Sequence, residues 1–298
     1  MNNKKDLNLI KDEWTVEEPN EVLKFLFEKM SDRSKKSVKA MLSRGQVLVN
    51  GQSTTQFNDP LKPGDRVEIE KSTSKHHADI RGIEVLHEDD DIIVISKEAG
   101  LLSIATDSED RFTAYRLLSN YLQTINPKTR IFIVHRLDKD TSGVMVFAKN
   151  QMVQKKLQDN WSDKAKERTY VALVEGYVGK SGTVTSYLSE DQSFKVHSSK
   201  DPKKGKKAIT HYAPLNHTRG YTLLRVNLET GRKNQVRVHM SDIGHPVVGD
   251  KKYGAKSRII KRLGLHAHAI ALKHPSTGKV MRFEAKVPES LTRMFGKR

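Results

Sequence analysis

Two short apolar runs rich in β-branched residues, 131–134 and 144–148, bracket a polar stretch. It reads His135-Arg136-Leu137-Asp138-Lys139-Asp140-Thr141-Ser142-Gly143. Each run has the length and composition of a strand. The stretch between them is therefore a loop held at the end of a sheet. It carries two carboxylates, a hydroxyl pair and an arginine, and a loop on a rigid scaffold is a usual place for chemistry. Asp and Ser are also ordinary turn formers, so taken alone the segment suits a plain connection equally well.

The rest of the chain narrows the choice. A length of 298 residues allows two domains, and 36% hydrophobic against 30% charged residues implies a soluble protein with a real core. The formal net charge of +17 favours a polyanionic partner. No cysteine is present, which excludes disulfides, thiolate metal sites and a cysteine nucleophile. No apolar run approaches the roughly 20 residues of a membrane span. Residues 1–18 are polar, with no hydrophobic signal core. The expectation is a cytoplasmic protein directed at nucleic acid.

The first twenty residues carry no periodic pattern, and residues 1–13 are expected to be flexible. Val22, Leu23, Leu26, Phe27 and Met30 form a helical stripe over 21–30, and a second helix is expected over 34–44. That helix turns Val38, Met41 and Leu42 one way and Lys35, Lys36 and Lys39 the other, with Arg33 and Arg44 at its ends and no acid between them. Gly45 stops it. Short strands follow, joined by Asn50-Gly51, a strong hairpin signal. This unit, 14–70, resembles the RNA-binding domain of ribosomal small-subunit protein four through its basic helix, "RGQVLVNGQ" and "LKPGDRVEI". The resemblance implies that Arg33, Lys35, Lys36, Lys39 and Arg44 meet phosphates, contacts that position RNA without reading its sequence.

Residues 71–82 read as a linker, and a larger domain fills 83–298. Strands are expected at 92–95, 170–174, 221–228 and 236–240, and helices at 114–122 and 151–161. The lysine-rich segment 195–207 looks like a mobile loop. There is no regular βαβ rhythm and no Gly-rich nucleotide loop, so the fold class is α+β around a mixed, largely antiparallel sheet.

Four segments of this domain align with one family. "HRLDKDTSG" resembles the signature of RluA-type RNA pseudouridine synthases; "ERTYVALVEG", "LETGRKNQVRVHMSDIGHPVVGDKKYG" and "LGLHAHAIALKHPSTGK" resemble their later motifs, in family order. Such enzymes detach uracil from ribose, rotate it and rejoin it through carbon five. They use no metal and no cofactor. The resemblance implies that Asp138 is the essential carboxylate, that Arg237 is its charge partner, and that Tyr170 is the active-site tyrosine. An opposite charge favours an ionised carboxylate in a dry pocket. Whether the aspartate attacks the substrate or takes a proton from the sugar stays open. A flipped-out base can stack on an aromatic ring, and Arg136 could hold the extruded nucleotide. Asp140 reads as a loop cap, and Thr141, Ser142 and Gly143 as local shape formers. The histidines are too scattered for a zinc site.

The chain departs from the family at Asn234, where His is usual, and at Ser96-Lys97-Glu98 and Ser103-Ile104-Ala105. These positions are expected to bear on RNA contacts rather than on the catalytic set. The expected substrate is structured RNA, most readily ribosomal. The alternative is a non-catalytic RNA-binding or ribosome-assembly factor that kept the fold; the intact Asp138, Tyr170 and Arg237 argue for the enzyme.

Overall fold

The computed structural model describes residues 10–43, 45–70, 80–105, 112–159, 161 and 165–296. Its N-terminal unit runs β1 (Ile10–Thr15), β2 (Asn20–Glu21), α1 (Val22–Lys29), α2 (Lys35–Ser43), β3 (Val47–Val49), β4 (Gln52–Thr54), β5 (Pro60–Leu61) and β6 (Arg66–Glu70). The four strands of its main sheet lie in the order β1-β6-β3-β4. Of the terminus expected to be flexible, residues 1–9 lie outside the described residues, and from Ile10 onward β1 pairs antiparallel with β6. Asn50 and Gly51 both have positive φ, 51° and 79°, as a type I′ hairpin turn requires. Phe25, Leu26, Val38, Leu42, Val47, Val67 and Ile69 close one core between the two helices and the sheet.

The second unit contains β7 (Ile83–Glu88), β8 (Ile92–Lys97), α3 (Ala114–Ile125), β9 (Phe132–Ile133), β10 (Ser142–Ala148), α4 (Gln151–Gln158), β11 (Ala165–Glu175), β12 (Gly182–Glu190), β13 (Val196–Ser199), β14 (Lys206–Thr218), β15 (Tyr221–Leu228), α5 (Gln235–Asp242), β16 (Leu265–Lys273), β17 (Val280–Glu284) and α6 (Glu289–Thr292). The strands form one sheet in the order β13-β12-β14-β15-β11-β16-β10-β8-β7, with β17 beside β16 and β9 beside β10. The pairs are antiparallel except β10 with β16, which run parallel at Ser142↔His266 and Gly143↔Ala267. The α+β expectation of a mixed, largely antiparallel sheet holds.

The unbroken apolar run of β10 has a simple cause. Met145 and Phe147 join Ile93, Ile95, Leu118 and Leu122 on the α3 side. Val144 and Val146 join Ile92, Val94, Val153 and Leu157 on the α4 side. Both faces of β10 are covered, so alternation disappears from its sequence. Each such side chain contributes about 1.5–3 kcal/mol of hydrophobic stabilisation.

Two expectations fail. The Val236–Val238–Met240 alternation suggests a strand, but α5 spans these residues. Val236 and Met240 pack on Ala172, Val174, Leu224 and Val226, whereas Val238 packs on Leu188, Val196 and Tyr253. A helix buried on two sides places apolar residues at alternate positions and imitates a strand. Segment 195–207 is not a loop: it contains β13, hydrogen-bonded to β12, a 3₁₀ turn and the start of β14. Among the described residues no helix is long and apolar enough to cross a membrane.

Candidate active site

The nine-residue polar stretch crosses the floor of a cavity of about 900 Å³. The β9–β10 connection supplies Arg136, Asp138 and Thr141; β11 supplies Arg168 and Tyr170; the β15–α5 connection and the first turn of α5 supply Asn234 and Arg237. Residues far apart in sequence converge because β10, β16, β11 and β15 are consecutive neighbours in the sheet.

Several anchors fix the loop that holds Asp138. Ser103 Oγ accepts from the Leu137 amide at 3.1 Å and donates to the Leu137 carbonyl at 2.7 Å. The Lys139 carbonyl accepts from the Gly100 amide at 2.9 Å and from Lys97 Nζ at 3.1 Å. Lys97 is buried and also donates to the carbonyls of Glu98 and Leu101. Burial lowers its pKa to about 8. Ser142 Oγ accepts from Arg262 Nη2 at 2.6 Å and meets His266 Nδ1 at 2.8 Å. Ser142 is therefore held by residues more than a hundred positions away, not by the local bonds its position suggests. Gly143 follows with φ of 119°, and a Cβ there would meet the Ala267 carbonyl oxygen at 2.0 Å. Only glycine permits this approach of β10 to β16.

Asp138 is about one-third exposed and faces Arg237, whose Nη1 lies 3.2 Å from Asp138 Oδ2. The other side of the same guanidinium forks onto Asp250, Nε to Oδ2 at 2.6 Å and Nη2 to Oδ1 at 2.8 Å. Asp250 is buried. Burial alone would lower the Arg237 pKa, but the bonds to Asp250 and the charge of Asp138 outweigh it and raise it above the ordinary arginine value. The Tyr253 ring lies 5.1 Å beneath the guanidinium. The arginine is thus permanently charged and rigidly aimed.

Tyr170 enters from β11 at an irregularity in the β11–β16 register, between Thr169 and Tyr170. Such a bulge re-aims a side chain. Burial, with the nearby Asp138 charge, pushes its phenol up to about 12. It is protonated at neutral pH.

Asn234, expected to bear on RNA contacts, lies against the carboxylate: its Nδ2 donates to Asp138 Oδ2 at 2.5 Å. Its left-handed backbone, φ of 53°, is one that Asn tolerates and most side chains avoid. Lys97 and Ser103, two more of the departures from the family pattern, pin the Asp138 loop. Arg168 was also missed as a pocket cation; its Nη2 donates to the Glu229 carbonyl at 2.7 Å and its buried Nε has no protein partner.

Arg136 lines the cavity and is exposed. Asp140 is exposed as well, with its charge directed at Lys97 and Arg262. In the N-terminal unit, Lys35 and Lys39 are exposed on α2. Arg33 is half-buried, 3.6 Å from Asp12 and 3.3 Å from Met41 Sδ. The side chain of Lys36 and the whole of Arg44 lie outside the described residues. No cluster of metal-ligating side chains occurs among the described residues.

Residues 91–242 match the family model described as RNA pseudouridylate synthase. The chain is 35% identical over 283 residues to the ribosomal large subunit pseudouridine synthase D of Salmonella typhimurium, covering 89% of this chain and 86% of that one. It is 34% identical to the RNA pseudouridine synthase YlyB of Bacillus subtilis, covering 91% and 92%. A solved structure of the human RNA pseudouridylate synthase domain containing 4 shares the fold, with a TM-score of 0.58 at 23% identity over 70% of this chain and 90% of that one. With half of its length under the family model, and with relatives of this identity along nearly all of it, the chain belongs to the RNA pseudouridylate synthase family.

Proposed function

We propose that the protein isomerises specific uridines to pseudouridine in structured RNA, with large-subunit ribosomal RNA as its substrate. The observation that carries the reading is the convergence of Asp138, Arg237 and Tyr170 in one cavity. The cavity lies at the large end of the range for small-ligand sites and admits an extruded nucleotide. The names of the relatives, ribosomal large subunit pseudouridine synthase among them, support the ribosomal target. So does the net charge of +17.

In this reading Asp138 is the group that acts on the sugar or base, and Arg237 and Asn234 hold its carboxylate. Both routes for the aspartate, covalent attack and proton abstraction, neutralise it. Either removes one of the two causes that hold the Tyr170 phenol protonated, so that phenol becomes a better acid only after the first step. The Tyr170 ring stacks on the flipped base, and Arg136 holds the vacated strand. The N-terminal unit is read as a domain of the ribosomal small-subunit protein four type, whose Arg33, Lys35, Lys36, Lys39 and Arg44 contact phosphates. It joins the catalytic domain through the stretch read as a linker, 71–82, of which 71–79 lie outside the described residues. No cofactor is needed, and the proposed setting is the cytoplasm.

The test uses RNA tritiated at carbon five of uridine. The wild-type protein is expected to release tritium to water from unmodified large-subunit ribosomal RNA, and Asp138→Ala is expected to release none. Release at the wild-type rate by Asp138→Ala would overturn the site assignment. No release by the wild-type protein from any unmodified cellular RNA would overturn the activity.

A further inference from the structure

The hairpin between β12 and β13 ends in a residue that gains little from its own fold. Asp191 builds the turn: its Oδ1 accepts from the Ser193 amide, the Ser193 hydroxyl and the Lys195 amide at 2.7–3.0 Å. The Phe194 amide bonds to the Asp191 carbonyl, and the Asp191 amide to the Lys195 carbonyl. This geometry forces Phe194 to φ of 58°. A turn followed by a left-handed residue is where hairpins place Gly or Asn, and for a bulky side chain the conformation is a genuine outlier. Burial does not compensate, since Phe194 is 70% exposed. Backbone strain that the fold does not repay is a reason to look for function.

The surroundings specify the partner. Lys233 Nζ sits over the Phe194 ring at 5.2 Å, and Lys252 Nζ donates to the Phe194 carbonyl at 2.7 Å. Lys195 follows in sequence. Lys233 also pairs with Glu190, and both line the cavity that holds Asp138. The ring therefore lies next to the cavity lining through Lys233, among cations, on a turn braced by Asp191. One isolated ring is far smaller than a protein interface requires. An exposed aromatic interleaved with lysines is the arrangement that binds single-stranded nucleic acid: the ring takes a base and the cations take its phosphates.

We propose that Phe194 is a stacking platform for an unpaired nucleobase flanking the uridine in the cavity. The inference rests on the pseudouridine synthase reading, because it places that uridine beside Asp138. Stacking at a flanking base contributes to substrate binding and leaves the chemical step to the residues inside.

The experiment compares wild type, Phe194→Leu, Phe194→Asn and Phe194→Trp by tritium release from unmodified large-subunit ribosomal RNA, with melting temperatures for each. Removal of one base–aromatic stack predicts a KM about tenfold higher for Phe194→Leu and Phe194→Asn, with kcat within about twofold of wild type. Asn is suited to the left-handed turn, so Phe194→Asn is expected to melt no lower than wild type. Phe194→Trp is expected to keep the wild-type KM, with its added fluorescence quenched by the RNA. An unchanged KM for Phe194→Leu would overturn stacking. So would a lower melting temperature for Phe194→Asn with unaltered KM, which marks a structural ring. If the wild-type protein released no tritium, the synthase reading would fail on its own. Fluorescence anisotropy of the same labelled RNA, wild type against Phe194→Leu, would then decide the platform: equal affinities would overturn it.

Discussion

The side-chain amide of Asn234 donates to Asp138 Oδ2 at 2.5 Å, on the same oxygen that Arg237 reaches at 3.2 Å. The amide is not free to flip. Tyr253 Oη accepts from the Val196 amide at 3.1 Å and so directs its own proton to Asn234 Oδ1, also at 3.1 Å. The nitrogen is left facing the carboxylate. A backbone amide on β13 thus orients, through two side chains, a neutral donor on the proposed catalytic oxygen.

Replacing that amide separates its roles. Asn234→Gly keeps the left-handed backbone and removes only the side chain. Hydrogen bonds to charged groups are worth about 1.5–3 kcal/mol, so tritium release is expected to slow about tenfold or more with little change in melting temperature. Asn234→Asp sets a second carboxylate against Asp138 and is expected to be slower still. Wild-type turnover by Asn234→Gly would show that the hydrogen bond does not matter to the reaction.

Arg237 and Asp250 are expected to be coupled in stability but not in activity. Arg237→Ala leaves the buried Asp250 carboxylate without its partner, a change that costs about 3–5 kcal/mol. Adding Asp250→Ala removes the orphaned charge and is expected to restore most of the loss in denaturant unfolding. The double variant is still expected to be inactive, because Asp138 has lost its cation. Additive stability effects would refute the coupling.

His266 makes the anchor of Ser142 sensitive to acid. Burial, aided by Arg262 and His268, lowers its pKa from 6.5 to about 4. His266 Nε2 faces the Ala285 carbonyl, which can only accept, so the neutral ring carries its proton there and Nδ1 accepts from the Ser142 hydroxyl. Between pH 6.5 and 4 the unfolded chain takes up a proton at this residue and the folded chain does not. Stability therefore falls as pH drops through that window, by about 3 kcal/mol at its lower end. NMR titration of the His266 ring in the folded protein tests this: a midpoint near 6.5 would remove the effect.

The proposed RNA-binding face of α2 has an electrostatic signature. Replacing Lys35, Lys36 and Lys39 with Ala is expected to weaken RNA binding and to flatten the dependence of log K on log salt, by somewhat under one unit for each phosphate no longer neutralised. A slope equal to that of the wild type would remove this face from the interface.

Local patterns set out much of the fold. The β10 run, the Asn50-Gly51 hairpin and the stripe of α1 are each encoded within a few residues, and each folds as its pattern implies. The helix α5 does not, because burial on two sides erased the helical period. The 195–207 segment was obscured in another way: its lysines line a hairpin whose pairing partner, β12, is not adjacent to all of them in sequence.

The site divides along the same line. The polar stretch stands out in the sequence because it lies between two strands, and it is the resemblance of that stretch and of the later motifs to the family that singles out Asp138, Tyr170 and Arg237. Tertiary structure decided the rest. Asn234 lies 96 residues from Asp138, and His266 lies 124 from Ser142. Nothing local links them, since a hydrogen bond across such a separation exists only after β10, β16, β11 and β15 have come together. The sequence names the carboxylate; the packed sheet determines which donors hold it.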